Sequence, residues 1–173
     1  MSFKSMRLAI AALLQALALS GCGVVVLINA ANEQDKFAKT FSPPDDKALI
    51  YVYLADRSSN MSNRVVIDGR IAGTIRPAFF SMSNVMPGPH RVGLAHMETD
   101  SILLEAEEGK TYFLGADVSC AGGAAHARLR LVDESTGRRQ VAASDLANIT
   151  LFGNPLFNDD GPAGQCPLSI GEL

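Results

Sequence analysis

The 173-residue chain predicts an all-β protein: an antiparallel β-sandwich with a short C-terminal helix or an extra strand. Three observations carry that expectation. Between residues 48 and 132 short apolar runs, several of period two, recur with a turn signal about every 8–12 residues. No stretch in that region holds a 3.6-residue period for three turns. The chain is 47% apolar, which excludes an intrinsically disordered polymer. Its formal net charge of −3 argues against a nucleic-acid partner, which needs a basic face to neutralise phosphates.

The first segment, residues 1–21, reads as a signal peptide. Lys4 and Arg7 form a positive start, Leu8 to Leu19 an apolar core interrupted by Gln15, and Ser20 and Gly21 the small residues before a cut. The run Leu19-Ser20-Gly21-Cys22 resembles the lipobox of bacterial lipoproteins. That resemblance implies cleavage between Gly21 and Cys22, a diacylglycerol thioether on the Cys22 sulfur, and acylation (palmitate) of the new amino group. Two other readings compete. Residues 8–31, extended by Val24-Val25-Val26-Leu27-Ile28, have span-like length for an uncleaved membrane anchor. Alternatively Cys22 is an ordinary buried cysteine. One acyl chain holds a bilayer only marginally, at about 0.8 kcal/mol per buried methylene, whereas two or three hold permanently. Gly23 follows the cysteine. The absence of Asp there favours the outer over the inner membrane under the enterobacterial sorting rule. Cleavage removes two cations and no acid, so the body is more negative than the whole chain.

Residues 22–47 read as a lipidated N-terminus and tether, with a helical turn around Asn32 to Lys39 and a boundary at Pro43-Pro44-Asp45-Asp46. As a coil the tether spans on the order of 25–30 Å. The sandwich domain is expected over 48–135. Ala48 to Leu54 (ALIYVYL) is β-branched and aromatic on both faces, the pattern of a strand buried on both sides. Asp56 to Asn63 is a loop. Val65-Val66-Ile67, Asp68-Gly69 and Arg70 to Ile75 form a hairpin signal. Ala78 to Val85 is a strand, Pro87-Gly88-Pro89 a turn, and His90 to His96 and Ser101 to Ala106 are strands. Glu108-Gly109-Lys110 turns the chain into Thr111 to Val118, and His126 to Val132 alternates Leu129 and Leu131 against Arg128 and Arg130. Residues 136–173 form an extension packed on the sandwich, in which Arg138 to Asn148 is a helix packing Val141 and Leu146, or one more strand.

Several of these runs together resemble a family of bacterial lipoproteins built around a small β-sandwich domain of unknown function. They are Lys47 to Tyr53, Val66-Ile67-Asp68-Gly69 with Ile71-Ala72-Gly73, Met86-Pro87-Gly88-Pro89-His90, and Glu108 to Phe113. Leu54 departs from the family, where a basic residue is expected to close the first strand. The resemblance implies an immunoglobulin- or transthyretin-like sandwich and an envelope location; it supplies no reaction.

With Cys22 spent on lipid, Cys120 and Cys166 remain. In an oxidising compartment they are expected to pair, a bridge that the loop-entropy model values at roughly 4 kcal/mol. Two Cys and three scattered His have no metal-ligand spacing, so no metal is expected. No Gly-x-Ser-x-Gly or phosphate-binding glycine pattern occurs, so no cofactor and no catalytic residues are expected. His90 reads as a solvated strand start, and His96 and His126 as members of polar faces. Phe79-Phe80 and Tyr112-Phe113 each place one aromatic on either face. His126, Arg128 and Arg130 make a basic stripe, with Arg70, Arg76 and Arg91 candidates to join it across the sheet. Its functional reading is an anion or glycan surface; its plain reading is a solvated sheet face. The expected function is a lipid-anchored envelope module, structural or interacting, held by Cys22 at the outer membrane and facing the periplasm. The alternative is a binding module for a peptide, glycan or envelope protein.

Overall fold

A computed structural model of the chain describes residues 32–57, 62–95, 98–121 and 124–147. Contacts divide the chain into Met1–Lys36 and Phe37–Leu173, and both sheets belong to the second unit. A short helix, α1, covers residues 32–38. Ten strands follow: β1 Ala48–Leu54, β2 Asn63–Ile67, β3 Arg70–Ile75, β4 Phe79–Val85, β5 Gly88–Leu94, β6 Glu98–Asp100, β7 Ile102–Ala106, β8 Thr111–Ala121, β9 Ala124–Val132 and, after helix α2 (Glu134–Ala142), β10 Asp145–Leu146.

The strands form two sheets. Sheet A has the order β10-β4-β1-β8-β9-β6, and sheet B the order β3-β2-β5-β7. The all-β sandwich with a small C-terminal helix is thus the fold. Sheet B is antiparallel throughout. Sheet A is mixed: β1 pairs with β8, β10 with β4 and β6 with β9 in parallel. The period-two pattern is blind to this, because it encodes which face a residue takes and not the direction of its neighbour.

All seven residues of β1 are buried, as ALIYVYL predicts. Ala48, Ile50, Val52 and Leu54 point between the sheets. There they meet Leu114, Ala116, Ala127 and Leu129 of sheet A and Val65, Ile67, Val92, Leu94 and Leu104 of sheet B. Leu49, Tyr51 and Tyr53 point the other way and join Phe80, Phe113, Val141 and Ala38 in a second core. The molecule therefore has a third layer, made of α2 and the segment 37–41, over one half of the outer face of sheet A. Ala38 and Phe41, inside the stretch expected as tether, are part of this core.

Local chemistry explains the turns. Asp68 and Gly69 both take positive φ (51° and 78°), the two-residue hairpin geometry that Asp-Gly favours. Gly109 does the same before β8. Gly88 and Pro89, expected as a turn, already belong to β5.

The ambiguous stretch after residue 133 contains both elements expected as alternatives. Asp133 caps α2: its Oδ1 accepts the Thr136 N–H at 2.9 Å and the Ser135 hydroxyl at 2.6 Å. These bonds hold its carboxyl down at about 2. The helix buries Val141 on the second core, and Leu146 then pairs opposite Phe80 in β10. Arg57, beyond β1, closes the other end of the helix. Its guanidinium donates to the carbonyls of Ala143 (3.2 Å) and Gln140 (3.3 Å) and to the Ser144 hydroxyl (3.0 Å), where a cation suits the helix dipole. Gly137 stands in mid-helix against its propensity because any Cβ there would enter the ring of Phe113.

Candidate functional site

The outer face of sheet A is apolar where α2 covers it and polar beyond the helix. The boundary follows from register. Phe113 lies opposite Val132 under the cover, then Gly115 opposite Arg130, Asp117 opposite Arg128 and Ser119 opposite His126. Past Ala116, β8 no longer has β1 beside it. The expected stripe of His126, Arg128 and Arg130 therefore does share one face, with Arg128 and Arg130 exposed and His126 half-buried.

Its charge is not that of a free cationic surface. The Arg130 Nε sits 3.3 Å from Asp117 Oδ2, both side chains about half exposed. Such a pair contributes about 0–1 kcal/mol to stability, yet it places an anion in the middle of the stripe. Arg70, Arg76 and Arg91 do not join it, which corrects that expectation. Arg70 and Arg91 lie in the other sheet, and Arg76 stacks 4.0 Å over the Phe79 ring between β3 and β4. Sequence order carries no information on sheet membership, so the six basic residues could not be sorted beforehand.

Tyr53 stands at the boundary, its hydroxyl beside Gly115. Burial pushes this hydroxyl above the usual phenol range; Arg130 and Arg139 pull it down, and Asp133 and Asp117 push it up. Arg128 and Ser119, both exposed, present hydrogen-bond donors at the surface, and Asp117 beside them limits the negative charge this face could accept.

His90 differs from its expectation. It is not solvated: its side chain is 14% exposed, and its two ring nitrogens contact the Asp68 carboxylate and the Met86 carbonyl. Asp68, read from sequence only as a turn residue, and Asp117, not singled out, are the partners that sequence reasoning missed. Asp117 was recoverable, since a hairpin closing at Ala121 and Ala124 sets it opposite Arg128. Of the aromatic pairs, Phe80 and Phe113 are fully buried. Tyr112 is half-buried, its hydroxyl accepting the Glu107 N–H at 3.0 Å.

Gly21, Cys22, His96 and Cys166 lie outside the described residues, as does the side chain of Cys120. Among the described residues no three His, Cys, Asp or Glu side chains come together as a metal ion would require, and no helix is long and apolar enough to cross a membrane. No family model, no curated protein and no solved structure matches this chain.

Proposed function

We propose that the chain is a lipid-anchored protein of the bacterial cell envelope, attached through Cys22 at the outer membrane and facing the periplasm, with its sandwich as a structural or interaction module. The observation that carries this reading is Leu19-Ser20-Gly21-Cys22 at the end of a charged and then apolar start. The resemblance of Lys47 to Tyr53, Met86 to His90 and Glu108 to Phe113 to runs of lipoproteins with a small sandwich domain supports it. The test is direct. The native protein is expected to begin at Cys22, to gain the mass of two or three acyl chains and to incorporate labelled palmitate. Cys22→Ser is expected to abolish the label and the membrane attachment. A native chain that starts at Met1 with a free thiol at position 22 overturns the reading. The same oxidising compartment would take two protons and two electrons from Cys120 and Cys166 to form a bridge, which a mass two hydrogen atoms lower before reduction would report.

A second reading, a binding module for a peptide, glycan or envelope protein, would use the outer face of sheet B, where Ile71 and Leu103 stand 65% and 69% exposed on its two edge strands. Crosslinking in intact cells, set beside capture on purified muropeptides, separates a protein partner from a glycan one.

A further inference from the structure

At one end of sheet B a histidine bridges two segments of the chain. His90, in β5, reaches from its Nδ1 to Asp68 Oδ2 at 2.6 Å and from its Nε2 to the Met86 carbonyl oxygen at 2.7 Å. Both partners are acceptors. A neutral imidazole has one N–H, so it can satisfy only one of them, and its other nitrogen would turn a lone pair toward an oxygen at hydrogen-bond distance. Only the imidazolium donates twice. Asp68 is itself held in place: Arg91 N–H donates to its Oδ1 at 2.9 Å, and its own N–H donates to the Arg91 carbonyl at 2.9 Å.

We propose that His90 is a proton-dependent clasp, which as imidazolium ties the β2–β3 turn at Asp68 to the β4–β5 link at Met86 and on losing a proton lets the link go. The proton that remains stays on Nδ1, because the carboxylate is the stronger acceptor and is positioned by two further bonds. The Met86 carbonyl is then the contact that opens. Met86 is 54% exposed, so its link has room to move.

The charged groups around the ring agree with this. Asp68 faces it from the turn and Glu105 acts on it from β7, both favouring the cation. Lys47 reaches the Met86 thioether from before β1, and Arg91 on the same strand turns away to the Ser101 hydroxyl at 2.9 Å. Partial burial pulls the imidazole down. The bonds to Asp68 and Met86 and the two carboxylate charges outweigh it, and the net shift is upward. The Asp68 carboxyl is held below its usual range by the His90 and Arg91 bonds. The sign follows. The His90 contribution is complete below the unfolded histidine value of 6.5 and is lost as pH rises through the higher folded value. The Asp68 contribution is complete above the unfolded value of 3.8 and is lost as pH falls through the lower folded value. The clasp is therefore closed in mildly acid solution and opens on the alkaline side.

The experiment is an NMR titration of the full chain, following the ring nitrogens of all three histidines and the backbone amides. His90 is expected to keep both ring protons above pH 6.5, with the Met86 and Gly88 amides moving at the same midpoint and those of α2 still. Asp68→Asn is expected to lower the His90 midpoint by about one unit. His90→Gln is expected to abolish the Met86 and Gly88 transition while the strand amides keep their shifts. A wild-type His90 that titrates at or below 6.5 overturns the proposal. So does a Met86–Gly88 transition that survives in His90→Gln.

Discussion

The outer faces of the two sheets are built on the same two-residue period and end in opposite environments. On sheet A the outward positions of β1, β4 and β8 include Leu49, Tyr51, Tyr53, Phe80 and Phe113, which are buried in the core that also holds Val141 of α2 and Ala38 of the segment 37–41. On sheet B the outward positions include Arg64, Val66, Arg91, Leu103 and Glu105, none of them fully buried. The difference is side-chain chemistry. Four rings cluster on sheet A, with Tyr51 stacked on Phe113 at 5.1 Å and Phe41 closing over both at 5.5 and 5.8 Å. A face of that size must be withdrawn from water, and aromatic residues bury the most area per position. The face of sheet B mixes charges with isolated aliphatics and stays stable in water. One sheet thus recruits a third layer and the other, among the described residues, keeps its outer face only partly buried.

The comparison breaks most severely at Phe113, on which the cover rests. Phe113→Ala is expected to destabilise the fold by about 3–5 kcal/mol, read as a lowered denaturant midpoint. If the loss stayed under about 1 kcal/mol, the helical layer would be an ornament and not a core. Gly137→Ala tests the same contact from the helix side. The added methyl enters the Phe113 ring, and a loss of about 1–3 kcal/mol is expected although alanine is the better helix former. A gain in thermal midpoint would show that α2 does not approach so closely.

Tyr51 sharpens the comparison at lower cost. Its hydroxyl donates to the Ala38 carbonyl at 2.6 Å, and burial raises its pKa to about 12. Tyr51→Phe is expected to lose about 1 kcal/mol. The unfolded phenol ionises near 10.0, so folding stability should fall as pH climbs past that value and not below it. Ultraviolet titration of wild type against Tyr51→Phe should assign the late-ionising phenol to this residue. The smallest effect belongs to the open face. Leu103→Ser, at a side chain 69% exposed, should change stability by no more than about 0.5 kcal/mol. A much larger loss would mean that this face is covered.

Legibility varied with the range of the interaction. The two-sided burial of β1 was readable because seven consecutive residues announce it. The Asp68-Gly69 hairpin was readable because its geometry is set by two neighbours. The region of α2 was ambiguous because Glu134-Ser135-Thr136-Gly137 is a weak helix former with a glycine inside it, and the reason for that glycine is a phenylalanine 24 positions upstream in chain order. His90 read as solvated because Asp68, its partner 22 residues earlier, meets it only through the pairing of β2 with β5.

By itself the amino-acid sequence determined the all-β class, the strand spacing, the hairpin turn and the expectation of a fatty anchor at Cys22, since these depend on neighbours along the chain. Only tertiary structure decided that β1 lies parallel to β8, that an aromatic face carries a helical cover, that Asp117 enters the basic stripe and that His90 holds two oxygens at once. Those outcomes depend on which strands become neighbours in space. A period of two assigns each residue a face, and it is silent about what packs against that face.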